Sequence, residues 1–463
     1  MSSPAAGRTD AAASAGFTEG SVGRHLWRLG SYMAVGSVSI NLAQLAEAAF
    51  LGMLGTQALA AMGFAFPVTI TLFAFAGGIG AGASSVIARA MGSGDRTRSA
   101  RLVSHAQLLA LTIGLLLAYL GHGLADPIVS SLGATGATRE LSIQYLEIYM
   151  LGFPAFMLSM VGSSLLRATG NAASPGIIMT FGSVLQILVC PVLIFGWFGL
   201  PELGIAGAAW AYVISRSTAT LLYLVLLIRV RMFSFSLRRL ADSWTSILHV
   251  GGPAIASGLI QPISVLFITR LLADHGDAVV AGYNVAMRVE TMAHMILWAA
   301  SSSVEPFIGQ NWGAGKVDRV RHALRLGFRF CQSWAAVTFV LMATFGAMIV
   351  RHIDPNPTVV EVAWWFFIII PPSIGFMGAL QMASSSFNAR GQPGPPLVLS
   401  IARTFALYIP LCWICNLYWG YIGIYVATAV TNVLMGVLAW RWNASSIEQT
   451  NNLLTGREAT ARA

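Results

Sequence analysis

Apolar runs of twenty or more residues recur along nearly the whole chain, separated by short stretches of Gly, Pro and basic residues. About 20 apolar residues in a helix cross a hydrocarbon core ~30 Å thick, so each run predicts a membrane-spanning helix. Twelve fit: 26–52, 59–90, 102–124, 138–166, 174–197, 204–229, 245–273, 278–311, 322–350, 359–388, 396–417 and 420–442. Several exceed the necessary length, which predicts tilted helices or helices that continue into water. No polar segment between the runs is long enough for a soluble catalytic domain. The expected class is an all-α polytopic membrane protein that is not an enzyme.

The pattern also repeats. Laid on itself at an offset of 221 residues, the chain pairs Gly55 with Gly276, Ala60 with Ala281, Gly92 with Gly313 and Gly94 with Gly315. The register continues through Ser163 and Ser384, Ala168 and Ala389, Gly170 and Gly391, and Pro175 and Pro396. After a short gap, GIAGAAWA from Gly204 resembles GYIGIYVA from Gly420. Each copy holds six crossings, an even number, so both face the same way. Parallel repeats of this kind are a transporter architecture, with the substrate path between the halves. The expected organisation is a disordered cytoplasmic tail over 1–25, six-helix lobes over 26–230 and 231–443, and a second cytoplasmic tail over 444–463.

The repeat disposes of one tempting motif. EPFIGQNWGAGK, Glu305 to Lys316, ends in Gly-Lys like a phosphate-binding loop, but Gln310 stands where the first glycine belongs and Val317 where a hydroxyl should follow. Its twin SVIARAMGSGD, Ser85 to Asp95, marks the same place in the other copy, so both read as the cytoplasmic end of the second helix of a repeat. The pair Gly78 and Gly82 supplies small residues four apart, which let helices approach closely.

Composition agrees with the pattern: 56% of the residues are hydrophobic and 10% charged, against roughly 25% charged in an ordinary soluble domain. The net charge of +9 would fit a nucleic-acid binder, but its location argues otherwise. With a cytoplasmic N-terminus most Lys and Arg fall on cytoplasmic segments or helix ends, and only Arg139 and Arg351 lie outside. Basicity therefore orients the chain in the bilayer, and nucleic acid is not an expected partner. The N-terminal residues lack an apolar core flanked by basic residues and are no secretory signal. The predominance of Arg over a single Lys reflects coding bias more than function and is compatible with a bacterial source; the expected place is a bacterial inner (plasma) membrane, both termini cytoplasmic. Cys412 and Cys415 form a C-x-x-C inside an apolar helix, where metal or redox chemistry would lack polar support. No metal and no cofactor are expected.

AEAAFLGMLGTQALAAMG, the two Gly-rich helix ends, GIAGAAWA, and AVVAGYNVAMRVE followed by VEPFIGQNWGAGK together resemble the multidrug and toxic compound extrusion (MATE) family, nearer its DinF-like branch. The resemblance spans about residues 26 to 442. It implies a V-shaped pair of six-helix lobes and a monomeric secondary active exporter. Such a protein exchanges organic, often cationic or amphipathic, compounds for protons or sodium ions. A lipid or lipid-linked oligosaccharide flippase of the related superfamily is the alternative. It would line its cavity with several cations for phosphate, whereas the intramembrane arginines here, Arg216, Arg270, Arg288 and Arg403, are scattered.

A charged residue in hydrocarbon costs about 2.5–3.5 kcal/mol on insertion scales and needs a reason. Glu47, in NLAQLAEAAFLG of the first helix, is the leading candidate for loading and releasing a proton. Gln44 shares roughly its face and Asn41 lies further round, so both are expected as polar neighbours. Glu47 also occupies the position where the DinF-like branch carries its ion-linked aspartate. That branch places a second aspartate on the fifth helix before a proline. Here QILVCPVLIFG has Cys190 in that place and Gln186 where an asparagine is usual. A sodium site built on two carboxylates is thereby disfavoured, and protons are the expected coupling ion. In the NorM-like branch helices seven and ten bring carboxylates, but Gln261 and Ala379 stand there. On the eighth helix Glu290 and His294 are four apart and share a face with Met287 and Trp298. A carboxylate beside an imidazole can pass a proton, and Met and Trp suit varied apolar ligands. Equally, the pair can serve only to hold the lobe interior together.

Overall fold

The computed structural model describes residues 16–462, with side chains to residue 452. Twelve long helices follow one another: α1 (Val22–Leu54), α2 (Thr56–Gly92), α3 (Arg96–Gly123), α4 (Gly136–Ala168), α5 (Ser174–Phe195) and α6 (Ile205–Arg229). Then come α7 (Leu240–Ala273), α8 (Asp277–Gly313), α9 (Val317–Ile353), α10 (Pro357–Arg390), α11 (394–419) and α12 (421–462). Among the described residues there is no strand. By length and apolarity alone ten stretches qualify as spans. One of these, Gly394–Asn452, contains both α11 and α12, and α8, which carries Arg288, Glu290, His294 and Glu305, is not apolar enough to qualify. The architecture is the one the hydrophobic pattern predicts.

The local signals are ordinary. Asp95 caps α3 by accepting the Arg98 backbone N–H at 2.8 Å, and Asn356 does the same for Thr358 at 3.0 Å ahead of α10. At Pro371 and Pro372 α10 tightens into a single 3₁₀ turn, as a helix must where consecutive N–H donors are missing. The repeat is written into the backbone as well. Gly204 before α6 (φ 56°, ψ −132°) and Gly420 between α11 and α12 (φ 59°, ψ −146°) adopt the same conformation. Only glycine populates that region freely, so the sharp reversal is made twice by the same residue.

The described chain gathers into two compact units, one holding Ser31–Ile255 and the other Phe17–Gly30 with residues 256–462. The division thus falls at Ile255, within α7, and not at the expected residue 230. The physical reason is close packing inside the first unit. Gly78 and Gly82 of α2 face the first half of α7 so tightly that a Cβ on Gly82 would lie 2.9 Å from the Gly251 nitrogen. The linker ahead of α7 is also tied there: His105 of α3 meets the Ser243 hydroxyl at 2.8 Å and the Ser236 carbonyl at 2.7 Å.

The second unit treats the segment ahead of α1 in the same manner. Arg319 donates to the carbonyls of Phe17 and Gly20, at 3.0 and 2.7 Å, while Gln310 accepts the Phe17 N–H at 2.8 Å. Phe17 is buried against Phe307. Of the expected tail 1–25, residues 1–15 lie outside the described residues, and the remainder is ordered because these contacts hold it. At the other end α12 runs unbroken past the expected boundary at 443 to Arg462.

Candidate functional site

Four helices of the first unit converge on one carboxyl group. Glu47 of α1 is 4% exposed, and both its oxygens are occupied. Oε1 accepts the Tyr145 hydroxyl of α4 at 2.7 Å, and Oε2 accepts the Gln186 side-chain amide of α5 at 2.9 Å. The Gln186 carbonyl in turn accepts from the Arg216 guanidinium of α6 at 3.4 Å. A charge sequestered from water survives only when its lone pairs are satisfied. Here two neutral donors satisfy them, with a guanidinium behind one.

Arg216 is placed by aromatic rings. Its guanidinium carbon stands 5.3 Å from the Tyr212 ring centre and 5.9 Å from that of Phe156. Tyr212 stacks on Tyr149 at 4.1 Å with planes 17° apart, and Tyr149 lies 6.0 Å from Tyr145. Tyr145 and Tyr149 are one turn apart on α4, as are Tyr212 and Arg216 on α6, so each helix presents its two groups on a single face.

The sequence candidates divide. Gln186 joins Glu47, and Cys190, one turn further along α5, is buried. Asn41 and Gln44 do not join it. The Asn41 amide donates to the Ser37 carbonyl of its own helix at 3.1 Å, and Gln44 is exposed. Three residues of helix turn by about 300°, which leaves Gln44 some 60° off the Glu47 direction. Arg216, one of the scattered intramembrane arginines, meets Gln186 and the rings. Tyr145, Tyr149 and Tyr212 were not singled out from sequence, although their i, i+4 spacing inside apolar helices was a usable signal.

In the second unit Glu290 of α8 is 4% exposed. His294, one turn on, has its Nδ1 3.8 Å from Glu290 Oε1. Met287 packs partly buried against the unit's core, while Trp298 and Gln261 are exposed. Arg403 lies over the Tyr408 ring at 5.7 Å and reaches Asn432 at 3.4 Å, within a π-helical turn of α11. Arg270 forms an exposed pair with Asp274 at 3.4 Å. Among the described residues no three His, Cys, Asp or Glu side chains gather as metal ligands would.

Known proteins share this chain's plan. A family model described as MatE matches residues 33–192 and again 253–414, once in each repeat. A protein of Shewanella oneidensis named FAD transporter is 32% identical over 92% of this chain and 95% of its own. The multidrug export protein MepA of Staphylococcus haemolyticus is 24% identical over 91% of this chain and 93% of its own. Among solved structures, the Vibrio cholerae MATE transporter VcmN in the bent form superposes with a TM-score of 0.89 at 27% identity, covering 93% of this chain and 98% of that one.

Proposed function

From the premise that this chain belongs to the MATE family of membrane transporters, we propose that it is a secondary active exporter which exchanges organic compounds for protons through Glu47. The observation that carries the reading is the buried Glu47 carboxyl with one donor on each oxygen. Such a group can exist charged, held by Tyr145 and Gln186, or neutral with a proton on one oxygen. A coupling group needs access to both states. Substrate favours the charged form and the outward-facing cycle step favours the neutral one, so proton and substrate compete; a ligand that bound both forms equally would shift nothing. With Cys190 where a second carboxyl would be required, protons suit the site better than sodium.

For the cargo, organic cations and amphipathic drugs are the first expectation, in keeping with relatives named as multidrug exporters. A flavin dinucleotide is the second reading, favoured by the relative named FAD transporter.

Proteoliposomes with an imposed pH gradient test both readings. Proton release that saturates with ethidium or with FAD, and vanishes in Glu47→Gln, is the expected result and identifies the cargo class. No proton movement with either compound, with a sodium gradient also ineffective, would exclude the reading and make lipid translocation the next assay.

A further inference from the structure

The second unit contains a buried carboxyl that Glu47 does not account for. Glu290 lies in the middle of α8, and its side chain is 5% exposed against 32% for His294. Oε1 has no hydrogen-bond partner. Among the described residues no guanidinium or ammonium pairs with it, and the nearest basic group is His294 Nδ1 at 3.8 Å. Leaving a buried charged oxygen unpartnered is costly, whereas a carboxylic acid requires one donor fewer. The half-exposed imidazole touches the buried carboxyl on one side and open surface on the other.

Among the described residues the other titratable groups around it are tyrosines and a cysteine, with the Arg403 guanidinium beyond them over the Tyr408 ring. Tyr283 of α8 and Tyr408 of α11 stand within electrostatic reach of Glu290. Cys412 of α11 and Tyr425 of α12 approach Tyr283 in the same way. From α10 the neighbour of Tyr283 is Phe366, and from α9 the Trp334 indole donates to the Ala293 carbonyl at 3.1 Å.

We propose that Glu290 and His294 form a second proton-binding centre, with Glu290 as the acceptor and His294 as the carrier between it and the exposed face. The transfer balances: the imidazolium gives its Nδ1 proton to Glu290 Oε1 and is left neutral with its remaining proton on Nε2, and once the ring turns to the exposed face a hydronium ion returns a proton to Nδ1 and leaves water. The pair needs only a small rotamer change, or one intervening water, to close 3.8 Å to bonding distance. This centre deepens the proton-exchange reading above, because each transport cycle then carries one proton more than Glu47 alone supplies.

The test begins with proton binding itself, measured on the purified full chain without substrate. Infrared difference spectra between alkaline and acidic buffer should lose one carboxylic C=O band in Glu47→Gln and a different one in Glu290→Gln, with the bands of the exposed carboxyls unchanged. His294→Gln should keep the Glu290 band while slowing its appearance after a pH jump. In proteoliposomes Glu290→Gln should lower the proton count per ethidium by about half with transport retained. A difference spectrum unchanged by Glu290→Gln would overturn the second centre and leave the Glu47 reading intact. Loss of the Glu290 band, in a protein that moves no protons with substrate, would establish the binding site and refute the exchange.

Discussion

The two units carry their buried carboxyls in opposite ways. In the first, Glu47 is gripped from α4 and α5, each oxygen has a donor, and Arg216 backs the amide. In the second, Glu290 has a bare Oε1 and a single basic neighbour from its own helix. A side chain held from several helices changes its surroundings whenever those helices shift. One served by its own helix carries its partner with it. The repeated backbone therefore supports a carboxyl gripped across several helices in one unit and a carboxyl whose basic partner rides on its own helix in the other.

If that contrast is right, the two carboxyls differ sharply in what their loss does. Glu47→Gln should reduce coupled export to the level of empty liposomes, whereas Glu290→Gln should retain transport. Equal losses, measured as initial rates of ethidium or FAD movement, would erase the distinction. Tyr145→Phe probes the grip itself. A hydrogen bond to a charged group contributes about 1.5–3 kcal/mol, and a pH unit corresponds to about 1.4 kcal/mol. The hydroxyl stabilises the ionised carboxylate, so its removal lets the proton stay bound at higher pH. The half-maximal pH of export should move alkaline by about one to two units, with the protein still folded.

The packing of the units differs too, and stability measurements can sharpen that. Gly82→Ala pushes a methyl against the α7 backbone and should cost about 1–3 kcal/mol, seen as a lower unfolding temperature in detergent. At Gly30, in the second unit, an added Cβ would sit 3.7 Å from the Ser303 hydroxyl, an ordinary contact. Gly30→Ala should change stability by less than about 1 kcal/mol, in the stabilising direction because alanine favours the helix. Similar losses at both glycines would mean that backbone approach does not distinguish the units.

Much of this molecule is legible in its amino-acid sequence. Twelve apolar runs, the offset of 221, and the glycines at 204 and 420 depend on composition and local backbone preference, which act over a few residues. Glu47 and Glu290 stand out for the same reason, since a carboxyl in an apolar run is costly wherever the run is packed. Of the partners of Glu47, Gln186 was reachable only through the family resemblance and Tyr145 not at all. Gln44 is near in sequence yet exposed, while Tyr145 and Gln186 are 98 and 139 residues away and make the contacts. Their proximity depends on how α1, α4 and α5 are rotated about their own axes, and hydrophobicity all round a membrane helix leaves that rotation undetermined.

The sequence by itself determined the class, the number of crossings, the repeat, the family and the two carboxyls. All but the family, which rests on the resemblance of its motifs, arise from the cost of placing polar groups in hydrocarbon and from conformations that only glycine adopts. Tertiary structure alone decided that Glu47 is doubly held, that Arg216 stands among tyrosines, that Phe17 is buried on the second unit, and that Glu290 is left with one open oxygen. Each of those depends on side chains from distant helices meeting face to face, and such meetings are set by packing.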